Sequence, residues 1–85
     1  MKIKFTKHAE DKFKILKEQG FIINLDQVIE ALQKPESIDY SREPLLIAQK
    51  SIDDRHILRV VFTRENDIIK VITFYPARKR KLKKK

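Results

Sequence analysis

A chain of 85 residues has the length of one small domain, and its lack of cysteine excludes disulfide staples, a thiol nucleophile and a thiolate zinc site. Charged residues make up 38% of it, above the roughly 25% of an average domain, and no apolar run approaches the roughly 20 residues of a membrane helix. The net charge of +8 is unevenly placed: none of the twelve acidic residues lies after Asp67, and residues 1–67 carry twelve Lys/Arg against those twelve. The excess therefore comes from Lys70 and the seven basic residues between Arg78 and Lys85. A neutral body with one cationic end draws anions to that end, which points to nucleic acid or an acidic protein as partner.

In chain order, Ile3 and Phe5 alternate with Lys2 and Lys4, as in a short half-exposed strand. The same stretch has no signal-peptide core, so a cytoplasmic location is expected. Thr6 is placed to cap a helix on which Ala9, Phe13 and Leu16 form the apolar stripe, with Ile15 off it. His8 falls in the first turn, where a structural role is expected for its ring. Gly20 is expected as a left-handed residue past the helix end, with Phe21 folding back on Leu16. Asn24 and Gln27 stand at capping-box spacing for a second helix, Ile23 can staple onto Val28, and Val28, Ala31 and Leu32 face inward. Lys34-Pro35 stops that helix.

From there the period falls to two. Ile38 and Tyr40 mark a short strand, and Arg42-Glu43-Pro44 a turn. Leu45 to Lys50 form the next strand, and Ser51 to Arg55 the turn before a final hairpin. That hairpin pairs His56–Thr63 with Ile68–Tyr75 across a short polar connection. The expected order is β-α-α-β-β-β-β: a single small α+β domain over residues 1–77, an antiparallel sheet with two helices on one face, and a basic, partly disordered tail over 78–85.

The hairpin register stays open at this level. A two- or four-residue loop puts Arg59 on the face of Lys70, Ile72 and Phe74, whereas a three-residue loop puts it beside Thr73 and Tyr75. A slip of one residue exchanges the two faces. In either register Arg59 is expected on or near the uncovered face, among apolar side chains, with Tyr75 and Phe74 as docking points for a partner.

With Gly20 the sole glycine, a glycine-rich phosphate loop is excluded. His8 and His56 are too few for a zinc site, so no metal and no cofactor are expected. What remains is a cationic and aromatic set: Arg55, His56, Arg59, Tyr75, Arg78, Lys79 and Arg80, with Lys81 behind them. Arginine recognises phosphate bidentately, and tyrosine can stack on a base or transfer a proton.

The element order, with a basic end to the last strand, resembles the RelE/ParE toxin superfamily. His8-Ala9, Gly20-Phe21, Val28-Ile29-Glu30-Ala31-Leu32, Pro35-Glu36-Ser37-Ile38 and Val71-Ile72-Thr73 resemble an uncharacterised bacterial and archaeal domain family of that group. Val60-Val61-Phe62-Thr63-Arg64 and the basic cluster after Val71-Ile72-Thr73 resemble the BrnT-like toxins. The resemblance implies a small metal-independent endoribonuclease acting on mRNA, free or on the ribosome, as the toxin of a toxin–antitoxin system with an acidic antitoxin; a homodimer is a further association it allows. An inactive relative that only binds nucleic acid or antitoxin is the alternative. Arg55 or His56 would match an arginine near the start of the penultimate strand, and Arg78 the arginine after the last strand. The family's later tyrosine has no counterpart, and Tyr75 would stand in for it. His56, Arg59, Tyr75 and Arg78 are thus the expected catalytic set, with Arg55, Lys79, Arg80 and Lys81 holding RNA.

Overall fold

The computed structural model describes residues 2–79. The order is β1 (Lys2–Phe5), α1 (Lys7–Glu18), α2 (Leu25–Gln33), β2 (Ser37–Asp39), β3 (Leu46–Ser51), β4 (His56–Glu65) and β5 (Ile68–Arg78). This is the expected α+β arrangement. The five strands lie in the order β1-β5-β4-β3-β2, antiparallel except for β1, which runs parallel to β5. A parallel pair needs a long crossover, and the two helices lie within it.

Local chemistry sets the helix ends. The Thr6 hydroxyl accepts from the Ala9 N–H at 3.1 Å and starts α1. Past its end, the Phe21 N–H donates to the Leu16 carbonyl and the Gly20 N–H to that of Lys17, the two bonds of a Schellman motif. Gly20 takes φ of 96°, the left-handed region that glycine enters without strain. Asn24 and Gln27 cap α2 reciprocally, each accepting from the other's N–H at 2.9 Å.

Both helices cover one sheet face. Ala9, Leu16, Ile23, Val28 and Ala31 meet Ala48, Leu58, Val60, Phe62, Ile69, Val71 and Phe74 in one core. Phe13 bridges Phe5 and Phe74, with ring centroids 6.1 and 4.7 Å apart. Ile15, off the apolar stripe, remains 37% exposed. His8 is exposed too, so its ring is not enclosed between α1 and the sheet, where a structural role would place it.

The hairpin resolves its register in a way neither simple loop anticipates. Glu65 pairs with Ile68 across the two-residue loop Asn66-Asp67, and Asn66 takes φ of 56°. Phe62 then pairs with Val71 but Val61 with Thr73, which leaves Ile72 unopposed as a bulge. The bulge reverses the alternation of β5 from that point. Arg59 consequently pairs with Tyr75, and Phe74 pairs with Val60 on the helix face. Phe74 is fully buried there, so the expectation that it lines the open face is corrected: the extra residue turns it inward.

Beyond Phe5↔Val71 strand β1 ends, and β5 continues with β4 alone. Pro76 falls in this one-sided stretch, the kind of strand position that tolerates a residue without an N–H. Strand β5 runs to Arg78, one residue past the boundary expected at 77. Arg80, Lys81 and the rest of the expected tail lie outside the described residues.

Candidate nucleic-acid interface

On the face away from the helices, the paired strands bring Gln49, Arg59 and Tyr75 into one row, and Asp39, Ile47, Val61 and Thr73 into the next. Ile47 and Val61 are buried although no helix covers them. They lie among Arg42, Leu45, Arg59 and Tyr75, which together line a cleft of about 330 Å³. Residues 40–45 form its rim as a turn, in which the Leu45 N–H donates to the Arg42 carbonyl at 3.0 Å.

Arg59 occupies the middle of this face. Its guanidinium carbon stands 5.8 Å from the Tyr75 ring centroid, a cation–π distance. Its Nη2 donates to Asp39 Oδ2 over a long 3.4 Å. Asp39 is held from the other side by the Ser41 N–H, which donates to Oδ1 at 2.8 Å. Hydrogen bonds from Ser41 pull the Asp39 carboxyl below its ordinary value, and the charges of Arg59 and Arg42 add to the effect. Two polar atoms of this face, Arg59 Nε and Thr73 Oγ1, are enclosed and have no hydrogen-bond partner among the described residues.

A second cationic place lies where β4 begins and β5 ends. Asp54, Arg55, Arg78 and Lys79 line a cleft of about 340 Å³, and the Lys79 N–H donates to the Arg55 carbonyl at 2.8 Å. His56 pairs with Arg78 across the strands. The His56 ring stands edge-on to Phe21 at 5.2 Å, and its Nδ1 lies 3.1 and 3.2 Å from the two Asp53 carboxylate oxygens. Asp53 also accepts from the N–H groups of Arg55 and His56, at 2.7 and 2.8 Å. The Arg55 backbone bond leads in drawing its carboxyl below the ordinary range.

The residues expected as one catalytic set therefore stand in two places. Arg59 and Tyr75 share the open face. His56 shares the parity of Leu58 and Val60, so it faces the helix side with Arg78. Arg55 and Lys79 join Arg78; Arg80 and Lys81 lie outside the described residues. Asp39, Arg42 and Thr73 were not among the expected site residues. The one local signal for Asp39 is the run Asp39-Tyr40-Ser41, the spacing at which an aspartate side chain accepts from the N–H two residues on.

Among the described residues no three His, Asp or Glu side chains converge to hold a metal ion, and no helix is long and apolar enough to cross a membrane. Comparison with protein-family models, with curated proteins and with solved structures gives no match for this chain.

Proposed function

We propose that this chain acts on single-stranded RNA as the toxin-like half of a toxin–antitoxin pair, and that the open sheet face is its RNA surface. The observation that carries this reading is the Arg59–Tyr75 pair, with Arg42 at the rim of the same cleft. A guanidinium beside an aromatic ring suits a nucleotide, since one takes phosphate and the other a base face. The element order agrees with the fold implied by the RelE/ParE resemblance. The cationic cleft at Arg55, Arg78 and Lys79 would extend the phosphate path, and it is also where an acidic antitoxin would neutralise the protein. The setting for both partners is the cytoplasm.

Cleavage of mRNA is the activity this reading includes. RNA supplies its own nucleophile, the 2′-hydroxyl, so the chemistry can run on side chains alone. Arg59 would stabilise the charge that builds on the phosphate, and the Tyr75 hydroxyl would serve proton transfer. Binding without cleavage is the second reading, favoured by the position of His56: its ring is tied to Asp53 on the helix side, away from Arg59.

The test combines growth, binding and product analysis. Expression of the wild type arrests growth, purified protein binds and cuts mRNA with or without ribosomes, and Arg59→Ala or Tyr75→Ala removes both effects. Binding without products selects the second reading. If the wild type neither binds RNA nor slows growth, both readings fail.

A further inference from the structure

Arg59 is an arginine with its hydrogen bonds half made. It reaches over β3 to the carboxylate of Asp39 on β2 and makes one long contact of 3.4 Å, rather than the short bidentate pair a guanidinium and a carboxylate can form. Both side chains are partly exposed, at 26% and 29%, so this is an ion pair of modest worth. Meanwhile the enclosed Nε–H has no acceptor among the described residues, and the enclosed Thr73 Oγ1 has no partner among them. These two atoms are chemically complementary, one a donor and one an acceptor. They belong to diagonal positions of paired strands, since Arg59 opposes Tyr75 and Thr73 opposes Val61. Thr73 lies on β5, on the opposite side of Arg59 from Asp39. With Arg59 turned toward Asp39, these two enclosed groups have no partner among the described residues, a state that costs stability.

We propose that Asp39 is a positioning residue that holds the place of the ligand's anion on Arg59, so that an RNA phosphate takes the guanidinium by exchange with the Asp39 carboxylate and not by simple addition. This rests on the reading of the open face as an RNA surface. The Ser41 N–H keeps Asp39 in place at 2.8 Å, so the carboxylate stays put when Arg59 leaves it. Once released, Arg59 can turn toward β5, where its Nε–H finds Thr73 Oγ1 and its outer nitrogens meet phosphate over Tyr75. Asp39 then sets a threshold: a single weak anion does not displace it, and a polyanion with several phosphates on Arg42, Arg59 and the cationic end does.

The experiment is a double-mutant cycle read by the affinity of a fluorescein-labelled uridine decamer at fixed salt, on the full chain. Asp39→Ala is the informative variant, because the amide oxygen of Asp39→Asn can still accept from Arg59. Asp39 ends a short edge strand, and thermal melts check that each variant is folded. Asp39→Ala is expected to bind about two- to five-fold tighter than wild type, and that gain is expected to vanish in an Arg59→Ala background. An equal gain in both backgrounds would reflect bulk charge and overturn the exchange. So would weaker or unchanged binding by Asp39→Ala while Arg59→Ala binds less well, though the RNA surface would then stand. If Arg59→Ala binds as wild type does, the RNA reading of the cleft falls, and this inference with it.

Discussion

The Thr6 hydroxyl donates to the Ile72 carbonyl oxygen at 3.0 Å while accepting from the Ala9 N–H. One side chain thus caps α1 and fastens the bulge of β5, 66 residues away in sequence. The Thr6 N–H adds a bond to the Val71 carbonyl. The start of the first helix and the face on which Tyr75 emerges are coupled through this residue. Thr6→Ala removes the cap and leaves the Ile72 carbonyl short of a donor, for an expected loss of about 1–2 kcal/mol. Thr6→Ser keeps both bonds and stays within about 0.5 kcal/mol of wild type, a threshold typical of harmless changes. Urea titrations of the three proteins check this, and an equal loss in both variants would count against the hydroxyl.

Phe74 is fully buried and its ring lies 4.7 Å from that of Phe13. Phe74→Ala opens a cavity between α1 and the sheet and should cost about 3–5 kcal/mol, a large share of what a small domain has. The circular dichroism melt should lose its cooperative transition or shift far down. A near-normal melt would mean that Phe74 does not face the helices.

Gly20 has open space where a side chain would go, with nothing within 4 Å of an added Cβ. Its φ is still positive. Gly20→Ala should therefore cost about 1 kcal/mol through backbone strain alone. Gly20→Asn should cost less, because asparagine tolerates the left-handed region better. Denaturant midpoints in the reverse order would dismiss strain as the cause.

Three carboxyls sit below their ordinary values: Glu36 through hydrogen bonds from the Ser51 side chain and backbone, Asp39 through those from Ser41, and Asp53 led by the Arg55 N–H. Each binds its proton more weakly in the folded chain than in the unfolded one. Their contribution is complete above the unfolded values near pH 4, and it drains away as pH falls through the lowered folded values. Thermal midpoints should hold from pH 7 to about 5 and fall steadily below about 4. Asp53→Asn should flatten part of that fall. A midpoint that rises on acidification would mean that these carboxyls do not stabilise the fold in their charged form.

How far the sequence discloses the fold depends on distance along the chain. The Thr6 cap, the Asn24–Gln27 box and the Gly20 terminus are signalled within four or five residues, and all three form as read. The bulge at Ile72 is different, because the group that fastens it is Thr6, and no spacing rule links the two. Counting from the loop alone therefore puts Phe74 on the wrong face. The open-face cleft is legible at Arg59 and Tyr75, where charge and aromaticity show in the residues themselves. It is not legible at Asp39, whose role depends on a partner twenty residues later on a non-adjacent strand.

The unopposed Ile72 also bears on how relatives of this chain should be aligned. A single-residue gap there would look like a trivial length difference between two sequences. In three dimensions it would only remove the bulge, because Thr73 would still oppose Val61 and everything from Thr73 to Arg78 would keep its present face. A homologue lacking that residue would keep its counterpart of Phe74 inside and that of Tyr75 outside, whereas an alignment that set the gap at the end of the strand would pair a core side chain with a surface one. Alignments should place the gap at 72 before any residue of the last strand is compared for function.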